Sequence, residues 1–277
     1  MHIYISWATG LLWSALTDQL LELGHQVTVI SRSADKVQTM YGDTVGVITW
    51  SELDTTSMDW CEICIHLAGR SIISLPWTKK TKQTIRDSRI HTTKHIVASL
   101  PSSCHTLICA SATGYYPSSL TQLHTPGDIN TDPSNFLSRL CAERELQALQ
   151  ARTDTRRVVM SRTWLVTGPG TFEDQIITST KRLWWVVLWD GSQYMPLVTT
   201  SERVQNIITC IQKKHIQWPI NNVTKNVTYT QYIDSIASKL HRPSRINIPA
   251  RLIKLILWEA SILFLGSRKC EPFDPKN

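Results

Sequence analysis

Long hydrophobic runs are missing from this chain of 277 residues. The most apolar late stretch, Leu252 to Leu265, carries Lys254 and Glu259 and is too short and too charged to span a bilayer, so no membrane partner is expected. The N-terminus enters an apolar run at once, without the basic-then-apolar order of a secretory leader. Seven cysteines, an odd number with no framework spacing, exclude a disulfide scaffold and point to reduced thiols in a cytoplasmic setting. Cys61-x-x-Cys64 has no second pair and the histidines show no ligand grouping, so no metal site is expected. Most histidines read as surface or capping residues. Gly-x-Ser-x-Gly, His-Glu-x-x-His and the P-loop are all absent, which removes three hydrolytic chemistries. Tyr-x-x-x-Lys is absent too. Glycine is scarce, eleven residues against eleven tryptophans, so each place where a glycine is needed becomes a test.

What is present reads as globular: 42% apolar and 18% charged residues suffice for a core. The net charge of +7 is scattered, apart from Lys79, Lys80, Lys82, Arg86 and Arg89 on one predicted helix. These read as a solvated helix face. No stacking aromatics accompany them, so no nucleic-acid partner is expected. Asn222-Val223-Thr224 and Asn226-Val227-Thr228 match the glycosylation pattern and, without a leader, count as chance.

The chain is organised around residues 1–32. Ile3 to Ser6 starts as a strand, Ala15, Leu16, Leu20, Leu21 and Leu23 follow at helical spacing, Gly24 ends the helix, and Gln26 to Ile30 forms a second strand. Such a unit holds a dinucleotide. Further on, Ser33–Met40, Thr78–Leu100, Asn135–Ala151, Arg203–Lys213 and Tyr229–Leu240 read as helices. Gly46–Thr49, Ile63–Leu67, Thr106–Ala110 and Arg157–Ser161 read as strands. Residues 118–133 and Pro243–Pro249 read as connectors, and Glu271–Asn277 as a frayed tail. Strands alternating with helices predict an α/β fold: a Rossmann-like doubly wound parallel sheet with a smaller, partly helical C-terminal lobe. The expected division is 1–168 for the cofactor domain and 169–277 for the lobe, with some segments returning to the main sheet. Ligands of such sheets bind beyond the carboxyl ends of the strands.

The turn after the first strand offers the amides of Thr9, Gly10, Leu11 and Leu12 to a phosphate at a helix N-terminus. The turn resembles the Gly-x-x-Gly-x-x-Gly turn of extended short-chain dehydrogenases, a likeness that implies glycine at 7, 10 and 13, and here only Gly10 remains. Trp7 costs on the order of 1–3 kcal/mol if the turn needs a positive φ, and Trp13 overpacks the helix–strand contact at a similar cost, about 1–3 kcal/mol. Ser31-Arg32 follows the second strand. An arginine there suits a 2′-phosphate, hence NADP(H) over NAD.

With Ala8-Thr9-Gly10-Leu11, Leu21-Glu22-Leu23-Gly24-His25-Gln26-Val27-Thr28, His66-Leu67-Ala68-Gly69, Ser88-Arg89 and above all Ser111-Ala112-Thr113-Gly114-Tyr115-Tyr116, the chain resembles the epimerase-like family of atypical extended short-chain dehydrogenase/reductases. Gly191-Ser192-Gln193-Tyr194 and Pro249-Ala250 extend the likeness, and Ile248 to Gly266 resembles that family's small C-terminal domain, cut short of its usual end. The resemblance implies NADP(H) binding, with Gly10 and Leu11 at the pyrophosphate, Arg32 at the 2′-phosphate, and Leu67, Ala68 and Gly69 along the adenosine. It implies Ser111 and Thr113 near the nicotinamide, with Tyr115 or Tyr116 close by, polarising the oxygen of a small, unidentified substrate. No oligomeric state follows from it.

The departures fall at chemical positions. Cys141 and Glu145 take the places of the usual catalytic tyrosine and lysine. Cys141 reads as a buried structural cysteine. His66 stands for an asparagine, and Arg70 for a glutamate. Tryptophan stands for glycine at 7, 13, 164 and 258, and the glycine-rich stretch before Gly191 has become Trp184 to Trp189. Two functions follow: an NADP(H)-binding epimerase-like oxidoreductase, or a degraded, non-catalytic Rossmann scaffold with weakened or lost cofactor binding. Under the first, Trp7→Gly with Trp13→Gly is expected to tighten NADPH binding in a fluorescence titration. An unchanged affinity would reject this account of the turn.

Overall fold

β-Branched runs become the strands, and their alternation divides the core. The computed structural model describes residues 1–6, 11–130, 133–171, 173, 185–188, 190–239 and 245–276. Trp7, Thr9, Gly10 and Trp189 lie outside them. In chain order the elements are β1 (His2–Ser6), α1 (Leu11–Glu22), β2 (Gln26–Ser31), α2 (Ala34–Tyr41), β3 (Gly46–Thr49), β4 (Ile63–His66), α3 (Lys79–Ser99) and β5 (Thr106–Ala112). Then come β6 (Leu123–His124), α4 (Phe136–Leu149), β7 (Arg157–Thr163), β8 (Leu165–Thr167), β9 (Trp185–Leu188), β10 (Tyr194–Thr199) and α5 (Thr200–Gln212). The remainder is β11 (Ile220–Asn221), β12 (Lys225–Thr228), α6 (Tyr229–Lys239), β13 (Arg245–Ile248), α7 (Ala250–Leu257), α8 (Ile262–Leu265) and β14 (Lys269–Cys270).

Seven of these strands form one parallel sheet in the order β11-β7-β5-β4-β1-β2-β3. The chain winds outward from β1 in both directions, so the order reverses between β1 and β4. Period-two alternation sends Ile3, Ile5, Ile63 and Ile65 to one face with Leu16, Leu20 and Ile207. It sends Tyr4, Cys64 and Leu107 to the other with Ile96 and Met160. Gly24, at φ +76°, closes the first helical segment in a conformation that costs glycine nothing. Side-chain caps start the later helices: Thr78 for α3, Asn135 for α4, and a Thr199/Glu202 capping box for α5. A second sheet, β12-β10-β8, stands beside the first. Among the described residues no helix is long and apolar enough to cross a membrane.

Four expectations need correction. Arg245–Ile248, inside the expected connector, is a strand that pairs in parallel with β9. Short, sequence-distant pairing of this kind leaves no periodic signal. The tail is docked: the Glu271 and Phe273 amides donate to the carbonyls of His124 (2.8 Å) and Val223 (3.1 Å), and Phe273 packs against the core. The basic face of α3 is not simply solvated. Lys82 pairs with Glu259 and Arg86 with Glu143. Finally, Leu123–His124, inside the connector expected over 118–133, is a short strand that pairs in parallel with β14.

Trp258 is the one described non-glycine residue with a positive φ, at φ +48° and ψ −126°. It occupies a position where the family resemblance leads one to expect glycine. A bulky residue there costs on the order of 1–3 kcal/mol, and its ring, 79% exposed, recovers little by burial. Trp258→Gly is therefore expected to stabilise the protein by about 1 kcal/mol or more in urea unfolding. A lower midpoint would mean that the exposed ring contributes more than the strain costs.

Candidate functional site

At the reversal point between β1 and β4, the last residue of each strand turns inward. Ser6 Oγ and His66 Nδ1 share a hydrogen bond of 2.5 Å, and His66 Nε2 meets Thr93 Oγ1 of α3 at 3.0 Å. Burial, with Arg144 adding to it, holds the His66 imidazole well below its ordinary 6.5, so the ring is neutral and serves to tie β1, β4 and α3 together.

Two hollows open on this edge of the sheet and share Gly69. The outer cleft, about 740 Å³, is lined by Arg32, Trp50, Ala68, Gly69, Ser71 and Thr92. Arg32 is exposed at its rim. A Cβ on Gly69 would sit 3.1–3.4 Å from the Arg89 side chain, so glycine permits the close packing there. The inner cavity, about 310 Å³, is walled by Leu67, Ser111, Cys141, Trp164 and a set of arginines, Arg70, Arg89, Arg144 and Arg203. Burial pushes the Cys141 thiol up to about 11, with Glu145 adding to the shift, so it is no nucleophile. Burial, then Arg144, pulls Arg89 and Arg203 down to about 10.

Behind the inner cavity lies a buried charge network. Arg162 on β7 forms a two-point ion pair with Glu145 on α4, Nε to Oε1 at 2.9 Å and Nη2 to Oε2 at 2.7 Å. The Ser111 hydroxyl donates to Glu145 Oε1 at 2.5 Å. Arg162 Nη1 donates to the Tyr116 hydroxyl at 2.8 Å, and that hydroxyl donates to Asn221 Oδ1 at 2.6 Å. Burial would lower Arg162, but the Glu145 carboxylate outweighs it and the net shift is upward. Burial raises the Tyr116 phenol despite Arg162. The Arg162 guanidinium also lies 3.9 Å from the Tyr115 ring centroid.

The residues singled out by sequence thus divide. Ser111, Leu67 and Gly69 line the inner cavity, and Arg32, Ala68 and Gly69 the outer cleft. Leu11 and Leu12 begin α1, while Thr9 and Gly10 lie outside the described residues. Thr113 and Tyr116 are fully buried behind the cavity wall. The Tyr115 hydroxyl accepts the Asn130 amide at 3.2 Å. None of these three lines either hollow. Sequence reasoning missed Arg144 and Arg203 altogether and read Arg89 as solvated. One signal was available: Cys141 and Arg144 are three apart and so share a helix face.

Residues 3–218 match the model of the NAD dependent epimerase/dehydratase family. The mouse epimerase family protein SDR39U1 is 26% identical over 283 residues, covering 98% of this chain and 92% of the relative. The Bacillus subtilis epimerase family protein YfhF is 28% identical over 276 residues, covering 98% and 90%. The crystal structure of human SDR39U1 (isoform 2) with NADPH superposes with a TM-score of 0.86 at 23% identity, covering 98% of this chain and 91% of that one.

The two ion pairs on α4 differ in burial, and so should their energies. Glu145→Gln strands the Arg162 charge in the interior and should cost about 3–5 kcal/mol. Glu143→Gln, whose pair with Arg86 is about a third exposed, should cost under about 1 kcal/mol. Equal losses in urea unfolding would sink the assignment of Glu145 as the anchor.

Proposed function

The chain belongs to the NAD dependent epimerase/dehydratase family, and on that premise we propose that it binds NADP(H) along the outer cleft and acts as an epimerase-like oxidoreductase on a small molecule in the inner cavity. The observation that carries this reading is the pair of hollows meeting at Gly69, with Arg32 at the outer rim. The outer cleft fits the adenosine end of a dinucleotide. It is large enough, glycine-backed where close approach is needed, and has a guanidinium where a 2′-phosphate would lie. The NADPH in the human relative's crystal structure supports the same choice of cofactor.

When bound, the nicotinamide supplies the hydride acceptor or donor. The chain's own part is positioning and proton handling. Trp164 and Leu67 wall the cavity against water. Ser111 is a lining hydroxyl with a carboxylate behind it, so it can hold a substrate oxygen and pass its proton toward Glu145 Oε1. Glu145 stands where short-chain dehydrogenases carry lysine, and a carboxylate there accepts a proton instead of lowering the pKa of a neighbouring acid as an ammonium does. Tyr116 has no free acid function, because Arg162 and Asn221 occupy its hydroxyl. The partner is a small molecule, not nucleic acid or membrane, and the seven free, buried cysteines support a reducing, cytoplasmic location.

A second reading is a degraded, non-catalytic Rossmann scaffold with weakened or lost cofactor binding. The lack of Tyr-x-x-x-Lys and the strain at Trp258 favour it. Titration of the protein with NADPH and with NADH decides between them at the first step. NADPH should saturate, and Arg32→Ala should weaken NADPH at least tenfold while changing NADH little. No saturation at millimolar NADPH would leave only the scaffold reading.

A further inference from the structure

We propose that the inner cavity is an oxyanion site, which seats a carboxylate or phosphate of a small acid on the guanidinium edges of Arg144 and Arg203 under Trp164. This deepens the functional reading by naming the substrate class, and its binding step stands without the cofactor.

Four arginines line the cavity, and among the described lining residues there is no aspartate or glutamate. Arg144 is only 5% exposed. Its Nη2 donates to the carbonyls of Ala68 (3.0 Å) and His66 (3.4 Å), while its Nε has no hydrogen-bond partner among the described residues. The Arg203 Nε is likewise without one. Carbonyls orient a guanidinium and leave its charge uncancelled, and an unpaired buried charge is costly. The acid next in sequence cannot cancel it. Both Glu145 oxygens are taken by Arg162, and one also by Ser111. Burial lowers the basicity of Arg89 and Arg203, and the neighbouring Arg144 charge adds to it.

The basic groove at the opposite edge of the sheet gives the contrast. There Arg156 donates to the carbonyls of Cys104 (2.7 Å) and Pro101 (2.5 Å), and Arg157 to those of Cys210 (2.6 Å) and Ile216 (2.5 Å). Those arginines staple loops. In the inner cavity Arg144 and Arg203 are lining residues whose buried Nε atoms have no partner among the described residues, the volume of about 310 Å³ sits at the lower end for small-ligand sites, and planar donor edges suit two-oxygen anions. A nucleotide-sized ligand does not fit it.

Calorimetric titration of the full chain in low-chloride buffer tests this, with succinate, inorganic phosphate and neutral succinamide as probes. Saturable binding is expected for at least one of the two anions, and none for succinamide. Succinate alone or phosphate alone identifies the carboxylate or the phosphate as the group recognised. Arg144→Gln and Arg203→Gln should each weaken that binding at least tenfold, and Arg152→Gln, in the opposite groove, should leave it unchanged. Should Arg144→Gln fail to unfold cooperatively, the Arg203→Gln result and an anion-dependent rise in the wild-type Tm decide. Absence of saturation for both anions, or equal weakening in Arg152→Gln, overturns the proposal. So does competition with NADPH, which would assign the arginines to the cofactor's own phosphates. Arg32→Ala keeps the two readings apart. It should lose NADPH and retain the acid, so failure of either leaves the other measurable.

Discussion

The Glu145–Arg162 ion pair constrains everything on the functional edge of this sheet. Removing two charges from water is expensive, and the expense is met only where geometry is complete. Here it is: two short contacts join the pair, Ser111 adds a third to the carboxylate, and the guanidinium's Nη1 donates to the Tyr116 hydroxyl. Those partners come from α4, β5, β7 and the turn after β5. Through Asn221 the network also reaches β11, the last strand added to the sheet. One buried pair thereby fixes the register of the cavity wall and the direction of the Ser111 hydroxyl.

Three consecutive residues of α4 serve three environments, because each helical step turns by about 100°. Glu143 faces outward to Arg86 of α3. Arg144 reaches back to the carbonyls at the end of β4. Glu145 faces β7. The helix is docked by charge on all three sides and by Leu137, Leu140 and Ala148 in the core. The family's tyrosine-and-lysine helix has become a helix of cysteine, arginine and glutamate, with its polar groups tied into the frame or left pointing at the cavity.

Much of the frame was legible in the chain. β3 is Gly46–Thr49 as read, and the strands at β1, β2, β4, β5 and β7 fall within a residue or two. Their alternating or continuous apolar runs report burial directly. Gly24 carried its meaning in residue type and position. The site was only partly legible. Ser111 and the stretch from Leu67 to Gly69 emerged from the motif, whereas Arg89, Arg144 and Arg203 did not, because arginine on a helix is ordinarily a surface residue. Only the fold brings three helices' arginines to one hollow. The docked tail and the β9–β13 pair depended on contacts distant in sequence and left no local trace.

The tryptophans at glycine positions point in two directions, and the difference lies in where they sit. Trp258 is strained and exposed, just beyond the end of α7. Trp164 has an ordinary backbone, lines the inner cavity and lies under the Arg268 guanidinium at 5.1 Å. One substitution costs the fold without return. The other closes a cavity around cations that no acid among its described lining residues neutralises. Desolvated guanidinium edges destabilise an empty protein, and a chain that served only as a scaffold would gain nothing from them. An oxyanion settling between Arg144 and Arg203 offsets that penalty. The inner cavity therefore argues for a retained ligand more strongly than Trp258 argues for decay.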